Sequence, residues 1–457
     1  MAANWATLSG KPFVTVSPTG GGTPPNNGAD YGPDTLLNNV GPGKTVTSGI
    51  QEAIMALPST GGTVYCLAGA FAISASLFNT GNYQVVQFSA GAILEFSSSG
   101  TYVSTDLAGD TDILVGTQRT PTELNFHDCY WLGNGTQILG SGLSSEYVFA
   151  AQHSASSVDA VGYKLVVEGF TISNVGNSAF IIGANNYSGG VTYSQQIRQV
   201  RFSRISATWK SGTSGAGLVI EGSAREILIE DITLDTSAME SNTYNNCFIR
   251  GASGDTEDVV IARSTFIQEP HNGNVFQVSA NTGTDNPTQP RYVFNVRFED
   301  CVFDSGSATV SYKNAGGGWI ADNNSGSSHP GFVYNVEFCR CEFLYVGITF
   351  QSSGTGSSQF GYLRFSEGSI PSGFSGSLLG RGPGDPGTTL SLTSGVAYTN
   401  QDGFEERIII SGGGVTSISL NNQGTGVLSG AFVLRDGDSL TVIWSGSPPT
   451  VMLKQPF

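Results

Sequence analysis

The chain has 457 residues, 39% of them hydrophobic and only 12% charged, with 62 glycines and a formal net charge of −16. That length and apolar share can bury a large core, and abundant Gly with few Lys and Glu favours strands and turns over helices. An acidic field without any Lys/Arg cluster excludes nucleic acid and anionic membrane as partners, and no run approaches the roughly 18 apolar residues of a membrane span.

Residues 1–43 are rich in Gly, Pro and Asn and read as an irregular N-terminal segment. The opening Met1-Ala-Ala-Asn-Trp-Ala-Thr-Leu8 has no basic start and no apolar run, so no secretory signal is visible. The expected setting is extracellular or on a virion, reached through a removed leader or by lysis. Thr45–Leu57 follows as a helix, with Val46, Ile50, Ile54 and Leu57 on one face and Pro58 ending it. Gly61–Ser74 then gives two short strands around a Gly turn. An open solenoid end exposes a hydrophobic cross-section, so a capping helix is expected here.

Ile50-Gln-Glu-Ala-Ile-Met-Ala-Leu-Pro58 followed by Gly61-Gly-Thr-Val-Tyr-Cys-Leu-Ala-Gly-Ala-Phe-Ala-Ile73 resembles the N-terminal signature of the pectate-lyase-like β-helix superfamily. Phage tailspikes, polygalacturonase-type glycosidases and several polysaccharide lyases open in this way. The departure is Lys44-Thr-Val-Thr47, where the family often carries Asp-Asp-Thr. The polygalacturonase signatures Asn-Thr-Asp, Asp-Asp, Gly-His-Gly and Arg-Ile-Lys are missing. The resemblance therefore implies the fold and transfers no catalytic residue.

An eight-residue pattern then returns eight times, as Leu124–Trp131, Leu165–Ile172, Val200–Ala207, Ile227–Leu234, Val259–Phe266, Val296–Phe303, Val336–Phe343 and Leu363–Ile370. Positions one, three, six and eight are mostly apolar, with a polar pair at four and five. Alternation on both sides of that pair means two strands bent at a corner with one face buried. Starts lie 27 to 41 residues apart, which suits one solenoid coil per repeat. Position five reads Asp128, Gly169, Arg204, Asp231, Arg263, Asp300, Arg340 and Glu367, alternating in sign from Arg204 onward. Stacked at about 4.8 Å, such a ladder pairs each Arg with acidic neighbours and is structural. Position six faces inward and includes Cys129, Cys301 and Cys341; with Cys66, Cys247 and Cys339 these read as buried thiols acting as small hydrophobes.

Second strands follow at Phe180, Leu218, Phe248, Phe276 and Ile348, and Glu221 and Arg250 fall in register on their outer face. Pro371–Thr389 reads as a Gly/Pro/Ser linker. Beyond it five short strands suggest a small antiparallel β-sandwich over residues 390–457. The fold class is all-β: a right-handed parallel β-helix over residues 44–370 with an N-terminal capping helix and a C-terminal β-sandwich domain.

Glycosidases need two carboxyl groups, about 5 Å apart for retention or about 6.5–9.5 Å for inversion. Asp235 and Asp304 share a register just past position eight, two repeats apart, so roughly 10 Å separates them. Glu269 and His271 follow the intervening repeat and add an acid and an orienting group. Long insertions at Thr236–Asn245, Asn281–Tyr292 and Asn314–Tyr334 suggest a groove wall. In them Tyr244, Tyr292, Trp319 and Tyr334 are candidate sugar-stacking residues. For each of these groups the alternative is a solvated turn or a loop anchor. No cofactor or metal is expected. Asp110/Asp112 and Asp255/Glu257/Asp258 form no Asp-x-Asp-x-Asp-Gly loop, so calcium and a calcium lyase stay open as an alternative without support. No Gly-x-Ser-x-Gly or P-loop motif is present. The expected function is cleavage of a polysaccharide by carboxylate chemistry, a hydrolase ahead of a lyase. The alternative is a non-catalytic glycan-binding tailspike, fibre or adhesin. A polysaccharide or cell-surface glycan is the expected partner, with a homotrimer as a further expectation.

Overall fold

The computed structural model describes residues 12–19, 28–34, 45–102, 112–116, 126–153, 162–184, 197–213, 215–222, 224–239, 245–251, 254–268, 273–280, 291–306, 318–321, 331–344, 346, 348–351, 363–366, 388–400, 406–435, 437–449 and 451–456. It divides into two compact units, one of Met1–Val333, Phe338–Gln359 and Ser366–Ser375 and one of Tyr334–Glu337, Phe360–Phe365 and Gly376–Phe457.

The first unit is a right-handed parallel β-helix. Strands Phe13–Val16, Gly62–Cys66, Gln84–Phe88, Phe126–Leu139, Gly162–Val175, Ile197–Trp209, Ala224–Asp235, Thr256–Ala262 and Arg291–Glu299 stack in that order, each parallel to the next. A second parallel sheet stacks Leu77–Phe78, Asp112–Gly116, Glu146–His153, Ser178–Ala184, Leu218–Glu221, Cys247–Arg250, Phe276–Ser279, Gly318–Ala321 and Ile348–Gln351. The strand Phe13–Val16 lies inside the segment read from sequence as irregular, and it pairs with Thr63–Cys66.

From Gly162–Val175 onward the first sheet's strands bend at single residues in the left-handed region, at two corners per coil where both are described. One corner is position five, with φ of 79° at Gly169, 52° at Arg204, 54° at Asp231, 47° at Arg263, 53° at Asp300 and 51° at Arg340. The other is the residue just before position one, with φ of 56° at Lys164, 55° at Gln199, 56° at Glu226, 55° at Asp258 and 57° at Asn295. Gly, Asn and Asp adopt this conformation readily, whereas Arg, Lys, Gln and Glu do so at a cost of order 1 kcal/mol. Continuous inter-coil hydrogen bonding on both sides holds them there. Between the corners, positions one and three point inward and two and four outward.

The strand register corrects the first repeat. Leu165 pairs with Cys129, not with Leu124, so the true copy starts five residues later. Asp128, with φ 56°, therefore belongs to the first corner beside Lys164 and not to the position-five ladder. Cys129 correspondingly occupies position one instead of six. The registers of the repeats from Leu165 to Phe343 hold, and all six cysteines are free and buried. Glu367 lies outside the described residues.

The capping helix is shorter than predicted, Ile50–Ala56, starting after Gly49 at φ 86°. The Thr45 hydroxyl oxygen accepts from Thr47 N at 3.2 Å and Gly49 N at 2.8 Å, holding a turn where the first helical turn was expected. Val46, placed on the apolar face from sequence, is instead 56% exposed. Ile50 and Ile54 are buried as expected. Gln51 closes the open edge of the second sheet: its side chain receives Phe78 N at 2.8 Å and donates to Phe78 O at 3.2 Å. An unpaired strand edge is thereby blocked.

The second unit carries two four-stranded antiparallel sheets around Ile408, Ile410, Val415, Ile418, Leu434, Leu440 and Val442. Arg435–Asp438 forms the predicted turn, with Asp438 Oδ2 accepting from Arg435 N at 2.8 Å.

Candidate functional site

Past the second corner, position seven points outward and forms a row of uncharged hydrogen-bonding side chains. Gln137, Thr171, Ser206, Thr233 and Thr265 lie in direct register down successive coils. Beside this row the position-five ladder changes character. Gly169 carries no side chain, the widened corner of the preceding coil ends on Gly135 after a register shift, and the next two ladder members are Arg204 and Asp231. The step from bare backbone to long charged side chains opens a cleft of about 470 Å³, lined by Gly135, Gly169, Thr171, Arg204, Ser206 and Asp231 among others. It is shallow, hydroxyl-rich and floored by rigid sheet.

Two residues further along the same outward face is the row Thr208, Asp235, Ile267, Asp304 and Leu344. Asp235 and Asp304 thus stand in the same register two coils apart, as expected, with Ile267 between them. Two strand spacings give about 10 Å between their backbones. Both are half-buried. Asp235 Oδ1 accepts from Ser237 N at 3.0 Å and Asp304 Oδ1 from Gly306 N at 2.8 Å, so each closes its own turn with one oxygen.

Of the remaining predicted residues, only Tyr292 has a described side chain. Tyr292 is half-buried before the first corner of its coil, with its N–H donated to Asp255 Oδ1 at 3.0 Å. Trp319 belongs to the second sheet, in register with Gln277 and Thr349, and Tyr334 lies in the strand Gly331–Cys339; their side chains are outside the described residues. Glu269, His271 and Tyr244 lie wholly outside them.

Most other carboxylates on this flank are committed to arginine. Arg263 grips Asp231 at 2.8 and 3.0 Å and Glu230 at 2.7 Å. Arg340 repeats the grip on Asp300 at 2.6 and 2.9 Å and Glu299 at 2.6 Å. Arg204, which follows Gly169 in the ladder, reaches back to Glu168 instead. Each Arg therefore clasps the corner of the preceding coil. The hydrogen bonds from Arg263 hold the Asp231 carboxyl below its ordinary value. At Glu230 partial burial pushes upward, but hydrogen bonds from Arg263 and Arg201 prevail and hold it low. Glu146 is the opposite case: burial pushes it up, against hydrogen bonds from Ser141 and the Gly176 and Gly142 amides.

A depressed carboxyl contributes stability above its unfolded value of about 3.9, and that contribution is lost as pH falls through the folded value. Asp231 is substantially exposed, so Asp231→Asn should cost less than about 1 kcal/mol at neutral pH. Its unfolding curve below pH ~4 should be shallower than that of the wild type. Identical acid limbs for the two proteins would contradict this role.

A second cluster was missed from sequence because the first repeat was misplaced. His127 Nδ1 lies 2.9 Å from Asp128 Oδ2, the Tyr130 hydroxyl donates to Asp128 Oδ1 at 3.3 Å, and Lys164 Nζ lies 3.4 Å from that oxygen. Tyr163 stacks on the His127 ring at 4.7 Å, and Tyr83 packs edge-on at 4.7 Å. Burial, then the neighbouring Asp128, pushes the Tyr130 phenol up to about 12. Aligning Phe126-His-Asp-Cys-Tyr-Trp131 with Gly162-Tyr-Lys-Leu-Val-Val167 would have revealed it.

Among the described residues no group of three or more His, Cys, Asp or Glu is arranged to hold a metal ion. Glu257 and Asp258, weighed for calcium, both face Arg225, at 3.2 and 3.5 Å. No helix among the described residues is long and apolar enough to cross a membrane.

No protein-family model matches the chain, and no curated protein does. Similar solved structures include a D-galactose-4-sulfate/3,6-anhydro-D-galactose-2-sulfate galactohydrolase, 14% identical, over 63% of this chain and 65% of that one, with a TM-score of 0.30. A family 28 exopolygalacturonase of Yersinia enterocolitica is 12% identical over 76% and 79% of the two chains, with a TM-score of 0.31. The tailspike of the Escherichia coli bacteriophage HK620, solved with a pentasaccharide, is 11% identical over 89% of each chain, with a TM-score of 0.37.

Proposed function

We propose that this chain is a carbohydrate-active β-helix that holds an extended polysaccharide along its flank and cleaves it by carboxylate acid/base chemistry. The observation that carries this reading is the contiguity of two outward rows. The hydroxyl row Thr171–Ser206–Thr233 runs beside the charged cleft, and Asp235 lies two residues past Thr233 on the same strand and face. Hydroxyl and amide side chains on a rigid sheet exchange hydrogen bonds with sugar hydroxyls at little entropic cost. Asp235 and Asp304, about two coils apart, approach the separation that leaves room for a water opposite the leaving group. One would donate a proton to the glycosidic oxygen and the other would take one from water, giving inversion. Glu269 and His271, which follow Ile267 of the middle coil, are the reserve acid and its orienting group. Hydrolysis is preferred over β-elimination. The protein would then work outside the cell that makes it or on a virion, and sedimentation would show whether it is a homotrimer.

The test is incubation with a panel of polysaccharides, reading new reducing ends and the ultraviolet absorbance of unsaturated uronates. Reducing ends without that absorbance are expected, with Asp235→Asn or Asp304→Asn lowering the rate by about 10²-fold or more at unchanged melting temperature. Undiminished cleavage by both variants would remove these residues from the reaction. One observation favours a second reading, a glycan-binding fibre or adhesin without cleavage: Asp235 and Asp304 each spend an oxygen capping a local amide, and the ladder carboxylates face arginines. Binding without any released ends would favour it.

A further inference from the structure

The residue just before the first corner points outward in the five coils from Phe126–Leu139 to Thr256–Ala262, and its row reads His127, Tyr163, Arg198, Arg225 and Glu257 in direct register. Like charges in register at about 4.8 Å repel, and the position-five ladder avoids this by alternating. Here two arginines are neighbours. Arg225 is compensated, with Nε 3.2 Å from Glu257 and 3.5 Å from Asp258. Arg198 is not. Arg201, Arg204, Arg225, Arg250, Arg263, Arg297 and Arg340 each have a carboxylate within ion-pair distance, and among the described side chains of the β-helix Arg198 is the only arginine without one. Its Nε, like that of Arg225, is buried with no hydrogen-bond acceptor, so the absence of any carboxylate at ion-pair distance is what sets Arg198 apart. A desolvated guanidinium donor left without a partner is costly, and an oxyanion is the group that matches its fork.

The surroundings suit such a group. On one side Tyr163 is pinned by its stack with His127, whose Nδ1 is in turn fixed by Asp128, so the hydrogen-bonding edges of both rings are held rigidly. Lys164, next to Tyr163 at the corner, is nearly half exposed and shares Asp128 with Tyr130. In a chain of net charge −16 a polyanion meets repulsion over most of the surface, so an uncompensated cation is the feature that could seat one.

We propose that Arg198, with Tyr163 as its register neighbour and with Lys164 at the adjoining corner and His127 one coil further on, is a binding site for the oxyanion of an acidic glycan, a uronate carboxylate or a sulfate ester. It sits before the first corner, apart from the cleft and the Asp235/Asp304 row beyond the second, and does not depend on cleavage.

The test is calorimetric titration of the full chain with an oligogalacturonate, a sulfated galactan oligosaccharide, a neutral maltooligosaccharide and inorganic sulfate. At least one acidic oligosaccharide should bind, more weakly as salt is raised. Arg198→Gln should weaken it by about tenfold or more at unchanged melting temperature, and Arg198→Lys by less. Neither variant should alter any affinity for the maltooligosaccharide. Four results would overturn the site: no binding of either acidic probe by the wild type, equal binding by Arg198→Gln, a parallel loss of maltooligosaccharide binding, or inorganic sulfate matching the oligosaccharides, which would reduce it to a simple ion site. Cleavage of a neutral glycan by a chain that binds neither acidic probe would leave the proposed catalytic function standing while this site fell. Acidic-glycan binding unaffected by Asp235→Asn and Asp304→Asn in a chain that cleaves nothing would do the reverse.

Discussion

Phe276→Ala should destabilise the β-helix by about 3–5 kcal/mol, the range for truncating a fully buried aromatic ring. Phe276 is completely buried and belongs to the second sheet, yet its ring reaches across the interior to those of the first. The centroids of Phe298, Phe303, Phe338 and Phe343 lie 5.9, 4.9, 5.3 and 6.4 Å from its own. Those four form two stacks, Phe298 on Phe338 at 4.8 Å and Phe303 on Phe343 at 5.3 Å, from positions three and eight of neighbouring coils. The coil below leaves space for Phe276: a Cβ on Gly318, its register partner, would sit 2.2 Å from Phe276 Cζ. Removing the ring would open a cavity walled by two rigid sheets that cannot collapse onto one another, so the cost should lie high in the range. A solenoid unfolds through nearest-neighbour contacts, so the loss should also be local. Hydrogen exchange should accelerate most in Phe276–Ser279, Arg291–Glu299 and Val302–Asp304, and far less in Gly162–Val175. A loss below about 1 kcal/mol, or acceleration spread evenly over the coils, would show that Phe276 does not couple the sheets.

The stacking of coils was legible because it has a period. Alternation broken by a polar pair recurs, and the registers of Val200, Ile227, Val259 and Val296 follow from it. So do the Arg263–Asp231 and Arg340–Asp300 clasps, and the shared row of Asp235 and Asp304. The first repeat failed for a physical reason. From Gly162–Val175 to Arg291–Glu299 the coils have two left-handed corners five residues apart, and polar residues suit both. Leu124–Trp131 placed Asp128 at the second corner when it occupies the first, an error equal to the corner spacing. That error hid the His127–Asp128–Tyr130 cluster. The cleft was hidden otherwise: it is made by the absence of side chains at Gly135 and Gly169, visible only once those positions are known to stack against Arg204 and Asp231. Val46 was assigned to a helical face by spacing alone, and the side-chain oxygen of Thr45 decided against it.

Arg250→Leu should destabilise by about 3–5 kcal/mol, whereas Glu221→Leu combined with Arg250→Leu should come close to the wild type. The pair was expected on the outer face, and the register is as expected, Glu221 against Arg250. The setting is different, because Glu221 is only 2% exposed. Arg250 Nε donates to Glu221 Oε2 at 2.6 Å, Nη2 of the same guanidinium reaches that oxygen, and the guanidinium carbon lies 5.0 Å from the Phe248 ring centroid. Burial on this scale changes the energetics. An exposed ion pair contributes under about 1 kcal/mol and either half can be removed cheaply. A buried pair contributes little net, because desolvation offsets the attraction, but deleting one half strands the other charge in a medium that cannot solvate it. The two single variants should therefore differ. Arg250→Leu leaves a carboxylate enclosed by the second sheet, whereas Glu221→Leu leaves a guanidinium whose side chain is 16% exposed and can turn toward solvent. Urea unfolding of the three variants completes the cycle, with a coupling energy of about 2 kcal/mol or more expected. If the two single losses were equal and added to the double loss, Glu221 and Arg250 would be acting as independent surface charges, and the buried clasp would have no energetic consequence.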